Sequence, residues 1–231
     1  MRYTRQSTTG IQSESSGESP NLYAWESHRF MVDCPMSGAG GRTTRRKKEV
    51  QMKILFISDI HGVYAALTEA LARGDALGYD RLVLLGDLLY HGPRNGVPRL
   101  YDTAAVVKIL NARKEKILAV RGNCDSEVDQ VMLDFPMMAD YAELDADGER
   151  FFLTHGHLWN EHRLPPIGTG TILVHGHTHI AETKRLEYGV TIFNPGSVGL
   201  PRGGQGCTFG YWDGSRFFHH SFHIASDGGN M

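Results

Sequence analysis

A chain of 231 residues and 25.7 kDa has room for one large domain, or for a domain with an appendage. Its 41% hydrophobic content can bury a core, while no run nears about 18 consecutive apolar residues, which excludes a transmembrane helix. A net charge of −2 argues against an extended basic face for nucleic acid, and three scattered cysteines (Cys34, Cys124, Cys207) make no disulfide framework or cysteine-only zinc site, as suits a reduced cytoplasm.

Composition changes near Met52. Residues 1–51 hold 14 hydrophobic residues, and 17 are Ser, Thr or Gly, too few apolar groups to offset the entropy of ordering. The segment is expected to be a low-complexity, disordered extension, with residues 52–231 forming the domain. It has no apolar stretch for a secretory signal, and Glu14, Glu18, Glu26 and Asp33 count against a transit peptide. Its one charge run, Arg45-Arg46-Lys47-Lys48, reads as solvated. Lys48-Glu49-Val50 can be encoded by a bacterial ribosome-binding sequence, so translation from Met52 is a further expectation. The remainder carries 16 Lys and Arg against 21 Asp and Glu, so the domain itself is acidic.

From Met52 the pattern is regular. Lys53 to Ile57, Arg81 to Leu85 and Lys116 to Val120 each open on a basic residue and continue as a short apolar run, as in strands buried on both faces. Helical spacing over Val63 to Ala72 and Tyr101 to Asn111 separates them. The β-α-β-α-β series implies parallel strands with right-handed crossovers. Then come strands over 141–144 and 150–153, flanking the hairpin signal Asp145-Ala146-Asp147-Gly148. Further strands are expected over 171–174, 182–186, 191–193, 208–212 and 217–222, the last two joined at Asp213-Gly214. The natural closure is an α/β, two-sheet αββα sandwich with helices outside.

Polar residues cluster just after the apolar strands, where ligands bind in open α/β sheets. They are Asp59-Ile60-His61, Gly86-Asp87, Gly122-Asn123-Cys124-Asp125, His155-Gly156-His157 and His175-Gly176-His177-Thr178-His179. Six of the 12 histidines lie in these motifs. A lone Asp at a strand end is commonly a turn or helix cap, and one His pair can be a satisfied loop. Five such clusters together call for a different explanation. Asp, Asn and His are ligands that suit Mn, Fe, Zn or Ni. His91 and Arg94 sit in a Gly-Pro turn that can reach a phosphate, and Asn194-Pro195-Gly196-Ser197 is a turn with a supporting role. His219, His220 and His223 on the terminal strand are not taken as a site.

In this order, Asp-x-His, Gly-Asp, Gly-Asn-x-Asp, His and Gly-His-x-His resemble the signature of the calcineurin-like metallophosphoesterases. Gly86 to Asn95, Arg121 to Gln130 and Phe193 to Ser197 resemble the bacterial YfcE-type phosphodiesterase branch in particular. The resemblance implies the sandwich of the metallophosphoesterase type, with a dinuclear metal site at the strand C-terminal ends. Asp59, His61 and His179 would hold one metal, Asn123, His155 and His177 the other, and Asp87 would bridge them. The cofactors implied are two divalent ions, Mn2+ first, with Fe, Zn, Ni or Co as alternatives. The expected reaction is hydrolysis of a small phosphodiester by a hydroxide bridging the metals. Asp87, Asn123, Cys124 and His155 are the expected catalytic group; His91, Arg94, Cys124 and His157 are the expected substrate contacts. His175 matches no ligand and is taken as supporting.

The sequence departs from the wider family at Cys124, where many members have a His thought to protonate the leaving group. A neutral thiol is the poorer donor near pH 7, which favours esters with good leaving groups. The YfcE-type branch also has Cys there. Two other readings compete: a binding scaffold of the same fold with little activity, and a superfamily phosphomonoesterase or nuclease. Competent ligands at all seven positions disfavour the first, and an acidic domain without a capping module disfavours action on long nucleic acid. No membrane partner is expected, and a homo-oligomer is left open.

Overall fold

A computed structural model describes residues 51–224; the expectations for residues 1–50 lie outside the described residues. The chain runs β1 (Ile54–Ile57), α1 (Tyr64–Leu77), β2 (Arg81–Leu84), α2 (Thr103–Asn111), a 3₁₀ turn (Lys114–Lys116), β3 (Ile117–Ala119) and α3 (Glu127–Met132). It continues through β4 (Tyr141–Ala146), β5 (Glu149–Thr154), β6 (Thr171–Val174), β7 (Ala181–Arg185), β8 (Thr191–Pro195), β9 (Cys207–Trp212) and β10 (Phe217–Phe222).

Two five-stranded mixed sheets result, ordered β10-β9-β1-β2-β3 and β4-β5-β6-β8-β7. β1, β2 and β3 are parallel, and β9 adds antiparallel to β1. In the second sheet β5, β6 and β8 are parallel, flanked by the antiparallel edges β4 and β7. The architecture is the αββα sandwich expected from the apolar pattern.

β1 shows why its residues run apolar without a break. Ile54 and Phe56 face the second sheet, while Leu55 and Ile57 face the helices, and all four are fully buried. The Phe56 ring lies 6.4 Å from Phe151 and 5.7 Å from Phe193, tying the sheets together. Truncating such a ring costs about 3–5 kcal/mol. The outward face of the second sheet carries a smaller cluster, Phe152, Leu173, Val190 and Ile192. Trp159, Leu164 and Ile167, from the segment joining β5 to β6, pack on it.

α1 runs five residues beyond the expected Ala72 and includes Gly74. A Cβ on Gly74 would stand 2.4 Å from Leu55 Cδ2, so the glycine lets the helix lie close on β1. The helix stops at Gly78, which takes a φ of 73°. α2 is capped by Asp102, whose carboxylate accepts the Ala105 N–H at 2.9 Å. α3 was not expected; its capping box joins Ser126 and Asp129, and none of its residues is buried. Between β4 and β5 the turn is narrower than the four-residue signal, because Asp147 (φ 52°) and Gly148 (φ 84°) alone make it. Two successive left-handed residues are the two-residue hairpin loop that suits strand twist.

Candidate metal centre

The parallel strands of both sheets deliver their C-terminal ends to one edge of the sandwich. Asp59 follows β1, Asp87 follows β2, Asn123 follows β3, His155 follows β5, and His177 and His179 follow β6. Backbone bonds sew these loops together: Asp59 N–H donates to Gly86 O at 3.1 Å, and His61 N–H to Asp87 O at 2.9 Å. Gly176 N–H donates to His155 O at 2.8 Å. Asp59, His61, Asp87, His177 and His179 all adopt left-handed backbone, with φ between 48° and 68°. A side chain there costs of order 1–3 kcal/mol, and such strain collects where function needs a fixed geometry.

Two carboxylates and four imidazoles converge. His179 Nε2 lies 3.3 Å from Asp59 Oδ1, and His61 Nε2 lies 3.9 Å from it. Asp87 Oδ2 lies 3.6 Å from His61 Nε2 and 3.5 Å from His155 Nε2, so a single oxygen faces both halves. On the far side His155 Nε2 is 3.1 Å from Asn123 Oδ1 and 3.2 Å from His177 Nδ1. Donor atoms of Asp59, His61 and His179 lie within 4.8 Å of one another, as do those of Asp59, Asp87 and His155. Cys124 forms a third such group with His61 and Asp87.

Hydrogen bonding sets the tautomers. His61 Nδ1 donates to Tyr90 O at 2.8 Å, His155 Nδ1 to Leu85 O at 2.7 Å, and His179 Nδ1 to Leu200 O. A carbonyl only accepts, so each ring keeps its proton there and turns an Nε2 lone pair inward. Asp59 Oδ1 and His61 Nε2 are buried with no hydrogen-bond partner among the described residues. Buried, unpartnered acceptors facing each other are costly unless a cation fills the space. The residues present therefore fit divalent metal ions, with oxygen and nitrogen donors of the kind Mn, Fe or Zn accept.

Burial shapes the ionisation. It raises Asp59 from 3.8 to about 7, helped by the charge of Asp87. Burial also opposes ionisation of Asp87, but His155, the Cys124 N–H and His61 together outweigh it and hold this carboxyl below its ordinary value. Burial lowers His155 to about 3 and moves His177 and His179 down as well. The positive charge of Arg202 adds to the lowering at His179. Cys124 is pushed up to about 12 by burial and then by Asp87, so it is a thiol.

A cavity of about 410 Å³ opens above the cluster, walled by His61, Asp87, Asn123, Cys124, His177 and His179 on the floor side. Arg94 lines it as expected from its turn, whereas His91 and His157 do not. His91 packs between Tyr90 and Tyr101, with ring centroids 4.7 and 5.4 Å away. His157 is half-buried, with its ring centroid 5.4 Å from that of His155. His175 is buried beside Asn194, and His219 donates to Asn194 O at 2.8 Å.

Supporting residues complete the frame. Ser58 Oγ donates to Asp59 Oδ2 at 2.7 Å, and His177 N–H to the same oxygen at 3.0 Å. Asn194 Nδ2 donates to Gly176 O at 3.0 Å, and Ser197 Oγ to Asp59 O at 2.8 Å, so the turn holds two ligand loops. The buried Asp125 accepts N–H groups from Asp87 and Leu88 at 2.8 Å and from Gly122 at 2.7 Å. Gly122 is needed because a Cβ would lie 2.1 Å from Asp87 Oδ1. Asp125 was visible in Gly-Asn-x-Asp but had no assigned role. Tyr90, inside the Gly86 to Asn95 motif but without an assigned role, also lines the cavity, as does Arg202, which carried no motif signal.

The model of the calcineurin-like phosphoesterase superfamily domain matches residues 52–215. The chain belongs to that superfamily. Within it, the chain is 44% identical over 162 residues to the phosphodiesterase YfcE of Escherichia coli K12, covering 70% of this chain and 88% of that protein. The solved structure of that E. coli phosphoesterase superposes with a TM-score of 0.67 at 45% identity, over 69% of this chain and 87% of the other. A metallophosphoesterase from Sphaerobacter thermophilus shares the fold at 22% identity and a TM-score of 0.51, over 75% and 90% of the two chains. This superfamily member therefore stands close to the YfcE-type branch.

Proposed function

We propose that the protein is a metal-dependent phosphodiesterase acting on a small phosphodiester. The observation that carries the reading is the single Asp87 oxygen shared between His61 and His155, with lone-pair atoms converging on either side. Likeness to a protein named a phosphodiesterase over most of both chains supports it.

In this reading Asp59, His61 and His179 hold one divalent ion, Asn123, His155 and His177 the other, and Asp87 both. Mn2+ is the proposed metal, with Fe, Zn, Ni or Co the alternatives that the same oxygen and imidazole donors accept. Two such ions supply Lewis acidity and a water that ionises near neutral pH. The chain does the rest. Leu85, Tyr90 and Leu200 carbonyls hold the imidazole protons away from the site. Asp125 and the Cys124 N–H fix the Asp87 carboxylate. Arg94 meets the phosphoryl charge at the cavity wall. Cys124, a thiol raised to about 12, keeps its proton and donates poorly to a leaving group, so esters that leave readily are the favoured substrates.

The scaffold alternative finds no support in the donor set. Among the described residues no helix is long and apolar enough to cross a membrane. A reduced, cytoplasmic setting is proposed because a free thiol lies in the site. The test is hydrolysis of bis(p-nitrophenyl) phosphate against p-nitrophenyl phosphate, metal by metal, after chelation and reloading. Faster turnover of the diester, dependent on added metal, is expected; equal or metal-independent rates would overturn the assignment.

A further inference from the structure

Arg202 lines the cavity, and the proposed reaction leaves it without a task. Its backbone is tied to the site: the N–H donates to His179 O at 3.1 Å. Its carbonyl accepts the Gln205 N–H at 3.2 Å, closing a turn through Gly203 and Gly204. Two residues earlier, Leu200 O takes the His179 ring proton. The position of Arg202 is therefore coupled to a candidate metal ligand, while its side chain is exposed and has no ion-pair partner among the described residues.

Charge decides what such a residue can do. Among the residues lining the cavity the one carboxylate is Asp87, and it already faces His61, His155 and the Cys124 N–H. Arg94 and Arg202, from the β2–α2 and β8–β9 loops, are then two guanidiniums with no counter-charge among the described residues. A dialkyl phosphate carries one negative charge, which Arg94 can meet. A guanidinium is weakly hydrated and forked, matched to the two oxygens of a phosphate, phosphonate or carboxylate. The cavity, at about 410 Å³, holds a diester with a short organic arm.

We infer that Arg202 is a specificity-determining residue that binds a second anionic group on the organic arm of the phosphodiester. The preferred substrates then carry at least two separate negative charges. This rests on the phosphodiesterase reading above, but it concerns which diester is chosen.

The test uses two p-nitrophenyl phosphodiesters with the same leaving group, whose other arm is propyl in one and 3-phosphonopropyl in the other. The metal-loaded protein should show a KM about tenfold lower for the phosphonopropyl ester, as one charge-assisted contact allows. Arg202→Gln should bring that ratio close to one through KM, and Arg202→Lys should keep part of it. Calorimetric binding of propylphosphonate and of propane-1,3-bisphosphonate supplies the same comparison without turnover. The bisphosphonate should bind more tightly, and lose that advantage in Arg202→Gln. If neither ester turns over, the phosphodiesterase reading falls, while calorimetry still decides the arginine. A preference that survives Arg202→Gln, or no preference in the unaltered protein, overturns the inference.

Discussion

The carboxylate of Asp125 accepts the backbone N–H of Asp87 at 2.8 Å, so one buried acid holds another in place. The same carboxylate collects Leu88 and Gly122, joining the loops after β2 and β3. Asp125→Asn leaves a single acceptor oxygen for three donors. The variant should lose about 1–3 kcal/mol of stability and about 10–100-fold in metal affinity. Thermal unfolding and metal titration check this; unchanged metal affinity would show that Asp87 does not depend on Asp125.

Asp87→Ala removes the oxygen that faces both His61 and His155. Activity should vanish, and metal content measured by plasma emission should fall from about two per chain to one or none. Retention of two metals with near-normal turnover would refute the ligand assignment.

Protons and metal compete at Asp59 more than at the histidines. Asp59 is raised to about 7 from 3.8, so in the metal-free protein its contribution to stability is fully present below about 3.8 and is lost as pH rises through about 7. His155, lowered from 6.5 to about 3, works the other way: its contribution is present above 6.5 and is lost as pH falls towards 3. Between pH 6.5 and 8.5 the two oppose each other, and the lowered His177 and His179 add to the side of His155, so chelator-treated protein should melt at nearly the same temperature at both. Asp59→Asn removes the opposing contribution of Asp59 and should make pH 8.5 the more stable condition. Metal loading at pH 6 should release about one proton per chain, seen by calorimetry in buffers of different ionisation enthalpy. Release of several protons would mean that the imidazoles are charged in the metal-free protein.

Cys124 lies at the cavity with its N–H on Asp87 Oδ1 at 2.8 Å and a thiol too weakly acidic to serve as proton donor. Cys124→His places a group of pKa near 6.5 there. General acid catalysis contributes about 10²–10⁴-fold when ideally placed, and a grafted ring gains less. A several-fold rise in kcat is expected, larger for alkyl than for aryl leaving groups. A uniform loss for both, with metal content intact, would sink the missing-acid idea.

Starting the chain at Met52 should leave turnover unchanged, since every candidate ligand lies beyond it. Gln51 Nε2 donates to Gly214 O at 3.2 Å, so a stability change of up to about 1 kcal/mol is expected from that contact. Loss of metal binding on truncation would show that residues 1–51 serve the site.

Sequence alone determined the strand ends. A run such as Ile54 to Ile57 is apolar at every position because both faces are buried, and that pattern marks where β1 stops, just before Ser58 and Asp59. The same holds for Leu85 before Asp87 and Val174 before the His175–His179 segment. Local chemistry was enough, because burial on two faces and ligand type are written residue by residue. Tertiary structure decided what depends on distant neighbours. Gly74 lies inside α1 because Leu55, nineteen positions away, needs the space. The Asp59 carboxyl is raised to about 7 because folding removes water and brings Asp87 near. Arg202 belongs to the cavity because the loops after β8 and β2 meet at one edge of the sandwich, and His91 does not because its ring packs against Tyr90 and Tyr101. Desolvation and through-space charge are properties of packed neighbours, and no local pattern records them.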